Sequence, residues 1–149
     1  MIRALETADI PALYEMMQEF AIFDGDAFEA DLGDFRQFFH PDQQHIYTLV
    51  AVAENGALVG FLNYYFTVSS FELARTIWVE DAFVREEYRG SGYGYALFQA
   101  VSDIATNESA DRIEWLVRRE NLSGQAFYER IGAEVKKDTI YVKWKLTNI

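Results

Sequence analysis

Apolar positions along this chain change their period repeatedly, and each change predicts an element. "IRAL" (residues 2–5) predicts a short strand, and "ETADIPALYEMMQEF" (6–20) takes up helical spacing, opened by Thr7 or Asp9 with Pro11 in the first turn. "DAFEADLGDFRQFF" (26–39) predicts a second helix. The β-rich runs "IYTLVAVA" (46–53) and "ALVGFLNYYFT" (57–67) flank Asn55-Gly56, the dipeptide that a tight type I′ hairpin prefers. A strand in "RTIWVEDAFV" (75–84) is followed by a helix in "GYALFQAVSDIATNE" (94–108) and a strand in "RIEWLV" (112–117). A short helix in "SGQAFYERI" (123–131) then ends at Gly132. "AEVKK" (133–137) and "IYVKWKL" (140–146) close the pattern as two strands. Hairpins first and strand–helix alternation later predict a mixed sheet with helices on both faces.

With 149 residues, half of them hydrophobic and no break in composition, the chain is expected to form one domain, 1–149. The first residues lack the unbroken apolar stretch of a signal peptide, and no later run approaches the roughly 20 residues of a membrane span. A soluble, cytoplasmic protein that does not engage a membrane is the expectation. The absence of cysteine excludes disulfides and thiolate chemistry. His40 and His45 share a polar connection without ligand spacing, so no metal is expected. A net charge of −11 argues against nucleic acid as a partner. That charge serves solubility, cationic partners, or both.

Three glycines at alternate positions, Gly90, Gly92 and Gly94, precede the helix of residues 94–108. A dinucleotide fingerprint G-x-G-x-x-G/A fails in either frame, ending on Tyr95 or Leu97, and no lysine follows to make a phosphate loop. Two readings stay open: a tight strand-to-helix turn, or an anion cradle of backbone N–H groups at a helix N-terminus.

Arg89, Gly90, Ser91, Gly92, Tyr93 and Gly94 fit the Q/R-x-x-G-x-G/A signature of the GCN5-related N-acetyltransferases (GNAT), and "ENLSGQAFYERIGA" resembles their second motif. The segments "GFLNYYFT", "VEDAFVREEYRGSGYG", "EWLV", "FYERIGA" and a late "KW" extend the similarity, from Gly60 to Trp144, toward the diamine and spermidine/spermine branch. The resemblance implies an α/β fold of the α+β type, with a mixed, mostly antiparallel central sheet of about seven strands. It also implies an acetyl-CoA-dependent enzyme, a glycine loop that holds the pyrophosphate of acetyl-CoA, and a homodimer with the acceptor site near the interface.

Acetyl transfer needs a neutral amine, and an alkyl amine with a pKa near 10.4 must first lose a proton. Glu80 and Asp81 interrupt an apolar strand; adjacent strand residues point to opposite faces, so one of them should reach the core side or a cleft, unless both sit in water at a frayed or bulged strand end. By resemblance Glu80 is the general base, acting through a water, and Asp81 helps to hold the amine. Tyr128 would protonate the departing thiolate of CoA; its alternative is a core residue. Asn121 would contact the CoA chain or order its loop, and backbone N–H groups near Phe83 and Val84 would hold the oxyanion. Arg85 and Arg89, and less so Arg118 and Arg119, are the available cations.

Asp24, Asp26, Glu29 and Asp31 crowd the segment between the first two helices, as a solvated helix start or as a lure for a cationic acceptor. Where the polyamine branch carries an Asp-Pro-Trp-like loop this chain reads Val68-Ser69-Ser70-Phe71, leaving Phe71 as the aromatic. A diamine, a lysine-like amine or another small primary amine therefore fits as well as spermidine. The competing functions are a non-catalytic CoA-binding module and an acetyltransferase for peptide N-termini.

Overall fold

The computed structural model describes residues 1–146. The chain divides into two compact units, Met1–Leu116 and Val117–Ile149.

The first unit is built on five strands, β1 (Ile2–Ala4), β2 (Tyr47–Val52), β3 (Leu58–Ser69), β4 (Ala74–Val84) and β5 (Ala110–Glu114), which lie side by side in that order. The first three joins are antiparallel. The β4–β5 join is parallel, which needs a crossover, and α3 (Tyr93–Asn107) supplies it. Two more helices, α1 (Ile10–Asp24) and α2 (Leu32–Phe38), fill the connection from β1 to β2.

Alternation along β3 sends Phe61, Asn63 and Tyr65 to one face. Phe61 packs there with Ile10, Leu13 and Met16 of α1, Phe35 of α2 and Phe83 of β4. Burial of each such side chain contributes about 1.5–3 kcal/mol. The buried stripe Leu97, Phe98, Val101 and Ala105 of α3 lies outside this cluster, and α3 runs against all five strands. It covers the other face, toward which Leu62 and Tyr64 turn. The expected mixed sheet with helices on both faces is therefore the fold of this unit.

Backbone geometry corrects two expectations. The second helix starts at Leu32, six residues after the expected Asp26, because Asp31 is extended (ψ 159°) and its carboxylate accepts from the Asp34 N–H at 3.0 Å. The Asn55-Gly56 hairpin forms, yet only Gly56 has positive φ (86°), and its N–H donates to the Ala53 carbonyl at 2.9 Å. That is the three-residue loop with glycine in the left-handed position, not a type I′ turn.

Gly60 marks a close approach of β3 and β4: a Cβ there would stand 2.8 Å from the Phe83 carbonyl oxygen. Gly60→Ala is expected to lower unfolding free energy by about 1–3 kcal/mol in denaturant titration, since backbone has to move.

In the second unit α4 (Leu122–Arg130) starts at Asn121, whose side-chain oxygen accepts from the Gly124 N–H at 2.9 Å. A Cβ on residue 124 would fall 2.5 Å from the Asn121 amide nitrogen, so a larger residue there makes the capping side chain shift. Residues 133–146 form no strand, and the sheet counts five strands among the described residues instead of about seven. "AEVKK" and "IYVKWKL" carry the propensity, but a strand persists only with a paired neighbour, which alternation does not specify.

Candidate active site

A β-bulge organises the carboxylates. Asn63 pairs with Asp81 and Tyr64 with Val79, so Glu80 is the extra residue of β4. The bulge cancels the alternation expected of neighbouring residues. Asp81 meets Asn63 and Glu80 meets Tyr65, and those two β3 residues share a face. Glu80 and Asp81 therefore both turn to the α1 side of the sheet, instead of to opposite faces.

Their environments differ. Asp81 is half-buried, and desolvation raises its pKa above the ordinary carboxylate range; the Asn63 amide opposes that shift, while the charges of Glu80 and Asp24 add to it. Glu80 is exposed and held at one oxygen by the Trp78 indole N–H (3.1 Å) and the Tyr65 hydroxyl (3.4 Å). Asp24, half-buried on the last turn of α1, bears on Asp81 electrostatically and joins the carboxylates. Asp26 and Glu29 follow as exposed residues in the connection to α2, which the Tyr14 hydroxyl ties down through the Ala30 carbonyl at 2.8 Å. Phe71 lies elsewhere: it is 98% exposed in the β3–β4 connection, and the strand from Ala74 to Glu80 puts it about 20 Å from the bulge.

Beyond the bulge, one edge of β4 is open. β5 pairs with β4 only as far as Trp78 opposite Glu114, whereas β4 continues to Val84 against β3. The Arg85 N–H donates to the Val59 carbonyl at 2.8 Å, and antiparallel hydrogen-bonded pairs recur at every second residue. Phe83 therefore gives its N–H to β3. Ala82 and Val84 turn theirs to the open edge. Of the two amides expected near the oxyanion, that of Val84 lies on the open edge and that of Phe83 does not, whereas that of Ala82 does; the parity follows from the register, which no residue type announces.

Past Val84 a single turn of helix, Glu86–Tyr88, leads into the glycine loop. Gly90 and Gly92 have φ of 78° and 89°, and a Cβ on either would meet nothing within 4 Å, so conformation and not crowding calls for glycine. Gly92 is the N-cap of α3 and offers no side-chain cap, so the N–H groups of Tyr93, Gly94 and Tyr95, next to exposed Ser91, stay available at the positive end of the helix dipole. That set of backbone donors fits a pyrophosphate.

The arginines divide. Arg89 donates from Nε to the Val84 carbonyl (2.9 Å) and stacks over Phe23 (4.5 Å) and Phe83 (5.4 Å), which fixes the loop to the sheet. Arg85 has Glu19 at 3.1 Å and Glu15 at 3.6 Å, so acids of α1 already occupy its charge.

In the second unit Asn121 is the helix cap described above, which is the loop-ordering role. Burial raises the pKa of Tyr128, on α4, and keeps the phenol protonated at neutral pH. Arg118 and Arg119 are exposed, and their carbonyls accept from the Gln125 amide at 3.1 and 2.9 Å. Among the described residues no group of three or more His, Cys, Asp or Glu side chains is arranged to hold a metal ion, and no helix is long and apolar enough to cross a membrane. Tyr65 and Asn63, which position the carboxylates, escaped the sequence reading because their partners lie across strands, and Trp78 because the bulge is what turns Glu80 toward it.

The profile of the acetyltransferase (GNAT) family matches residues 10–133, across both units. The chain belongs to the GNAT family. This GNAT chain is 34% identical over 92 residues to an L-ornithine N5-acetyltransferase of Arabidopsis thaliana, a match that covers 62% of the chain and only 38% of the plant protein. It is 27% identical over 123 residues to thialysine N-epsilon-acetyltransferase of Bos taurus, covering 83% of the chain and 72% of the bovine protein. A crystal structure of a probable acetyltransferase superposes with a TM-score of 0.84 at 21% identity, covering 99% of each chain, which supports the fold. GNAT members are acyltransferases that take acetyl-CoA as co-substrate.

Proposed function

We propose that this GNAT protein moves the acetyl group of acetyl-CoA to the primary amine of a small cationic acceptor, a diamine, a lysine- or ornithine-like amino acid, or a polyamine. The observation that carries the reading is the bulge of β4, which gathers Glu80 and Asp81 on one face beside Asp24, while the same strand runs on as an open edge to the glycine cradle. A carboxylate cluster suits a cation, and a backbone cradle suits an anion. The two named relatives act on ornithine and thialysine. The GNAT profile spans both units, which supports a single catalytic domain over 1–149.

In this mechanism the N–H groups of Gly92, Tyr93 and Gly94 and their neighbours hold the pyrophosphate, and the pantetheine lies along the β4 edge. Asp81 and Asp24 attract the ammonium form. Glu80, through a water, takes its proton; the nitrogen attacks the thioester carbon, and Ala82 and Val84 N–H groups receive the negative charge that builds on oxygen. As the new N–C bond forms, the nitrogen gives up its second proton and the C–S bond breaks; the resemblance assigns to Tyr128 the proton that the thiolate takes, and the proton released by the nitrogen restores the phenol. Homodimerisation, on the strength of the resemblance alone, and a cytoplasmic location are part of the proposal.

Thiol release from acetyl-CoA with ornithine, a thialysine analogue, putrescine, spermidine, a simple monoamine and a short peptide tests it. Dications should react with kcat/KM at least about tenfold above the monoamine, the worth of one added charge contact in a partly desolvated site. Preference for the peptide would overturn the acceptor assignment.

A further inference from the structure

Beneath the carboxylates runs a row of polar side chains that the mechanism above does not use. Thr48 on β2, Asn63 on β3 and Asp81 on β4 are successive cross-strand partners, so they form a line across three strands on the α1 face. The Thr48 hydroxyl donates to the Asn63 side-chain oxygen at 2.7 Å, and the Asn63 amide nitrogen donates to Asp81 Oδ2 at 3.1 Å. Asn63 has no exposed surface, and Thr48 is buried as well. Asparagine is depleted from strands, and burying its amide costs about 1–3 kcal/mol unless both ends are bonded. Here both ends are bonded, and one bond ends on a candidate substrate-binding carboxylate.

We infer that Asn63 is a positioning residue that aims the Asp81 carboxylate at the acceptor amine, with Thr48 fixing which end of the amide faces Asp81. The inference rests on the reading of Asp81 as part of the acceptor site. A hydroxyl that donates to the amide oxygen leaves the NH2 end for Asp81, and an N–H donor favours the charged carboxylate. The charged groups that bear on Asp81 are Glu80 on its own strand and Asp24 on α1; both are acids and both favour the protonated form. From the helix above, Met17 presents a sulfur atom 3.9 Å from the Asn63 amide nitrogen. The Asn63 N–H is thus the group that counters burial and two neighbouring charges.

Sign and size follow. Removing a donor that favours the charged form moves the Asp81 pKa upward, by about one unit for a lost bond to a charged group. Ionised Asp81 attracts the ammonium, so the acid-side fall of kcat/KM moves to higher pH.

The test follows the Asp81 carboxyl by carbon-13 NMR titration in the full chain, assigned with Asp81→Asn, in the wild type, Asn63→Leu and Thr48→Val, beside kcat/KM against pH for the best amine. Expected is a midpoint about one unit higher in Asn63→Leu, a smaller rise in Thr48→Val, and a matching displacement of the acid limb. Thr48→Val preserves shape and carries the test if Asn63→Leu does not fold. An unmoved midpoint in the folded variants would overturn the inference. A moved midpoint with no amine acetylated would overturn the proposed function and leave the role of Asn63 in setting Asp81 standing.

Discussion

Glu80→Gln is expected to lower kcat for acetyl transfer by about a hundredfold or more, the range of one general base, with the KM for acetyl-CoA unchanged. Glutamine has nearly the shape of glutamate, and its amide oxygen still accepts from the Trp78 indole N–H and the Tyr65 hydroxyl that hold Glu80 in place. What it lacks is a lone pair basic enough to take the proton of the ammonium. Steady-state kinetics between about pH 6 and 9 separate the two properties, because proton removal matters most where the amine, with a pKa near 10.4, is still protonated. The deficit should therefore shrink as pH rises and the amine arrives neutral. A deficit that stays constant across that range would place the loss in binding or structure and not in proton transfer.

Gly92→Val is expected to raise the KM for acetyl-CoA more than tenfold, with a circular dichroism spectrum like that of the wild type. Gly92 has a φ of 89°. A β-branched residue reaches that region only with strain of about 1–3 kcal/mol, and the loop relieves it by leaving the left-handed conformation. The N–H groups at the start of α3 then no longer converge. A Cβ there meets nothing within 4 Å, so the strain comes from backbone conformation and not from crowding at the Cβ. Gly90→Val, with a φ of 78° in the same loop, should act in the same direction. Calorimetric titration with CoA checks both variants without reference to turnover.

The glycine loop and the helix after it were legible because glycine spacing and helical period are local, and the structure puts Gly92 at the N-cap. The hairpin was legible for the same reason, although Asn55-Gly56 left the turn type open and Gly56 alone takes positive φ. Glu80 and Asp81 stood out as charges in an apolar strand. Their common face did not, because the bulge is a property of how β4 pairs with β3 and not of β4 itself. Asn63 and Ala82 escaped for that reason too: one matters through cross-strand partners and the other through hydrogen-bond parity. The expected strands at 133–137 and 140–146 fail for the converse reason, since propensity without a pairing partner does not make a sheet.

Incubation with acetyl-CoA isotopically labelled in its acetyl group, with mass spectrometry of the amine and a thiol assay run together, tests the central claim most directly. The account predicts that label appears on the primary nitrogen of a dicationic acceptor in step with free CoA, and that Glu80→Gln slows both equally. Calorimetric binding of CoA with no amine-dependent thiol release and no labelled product would contradict it and identify the protein as a CoA-binding module.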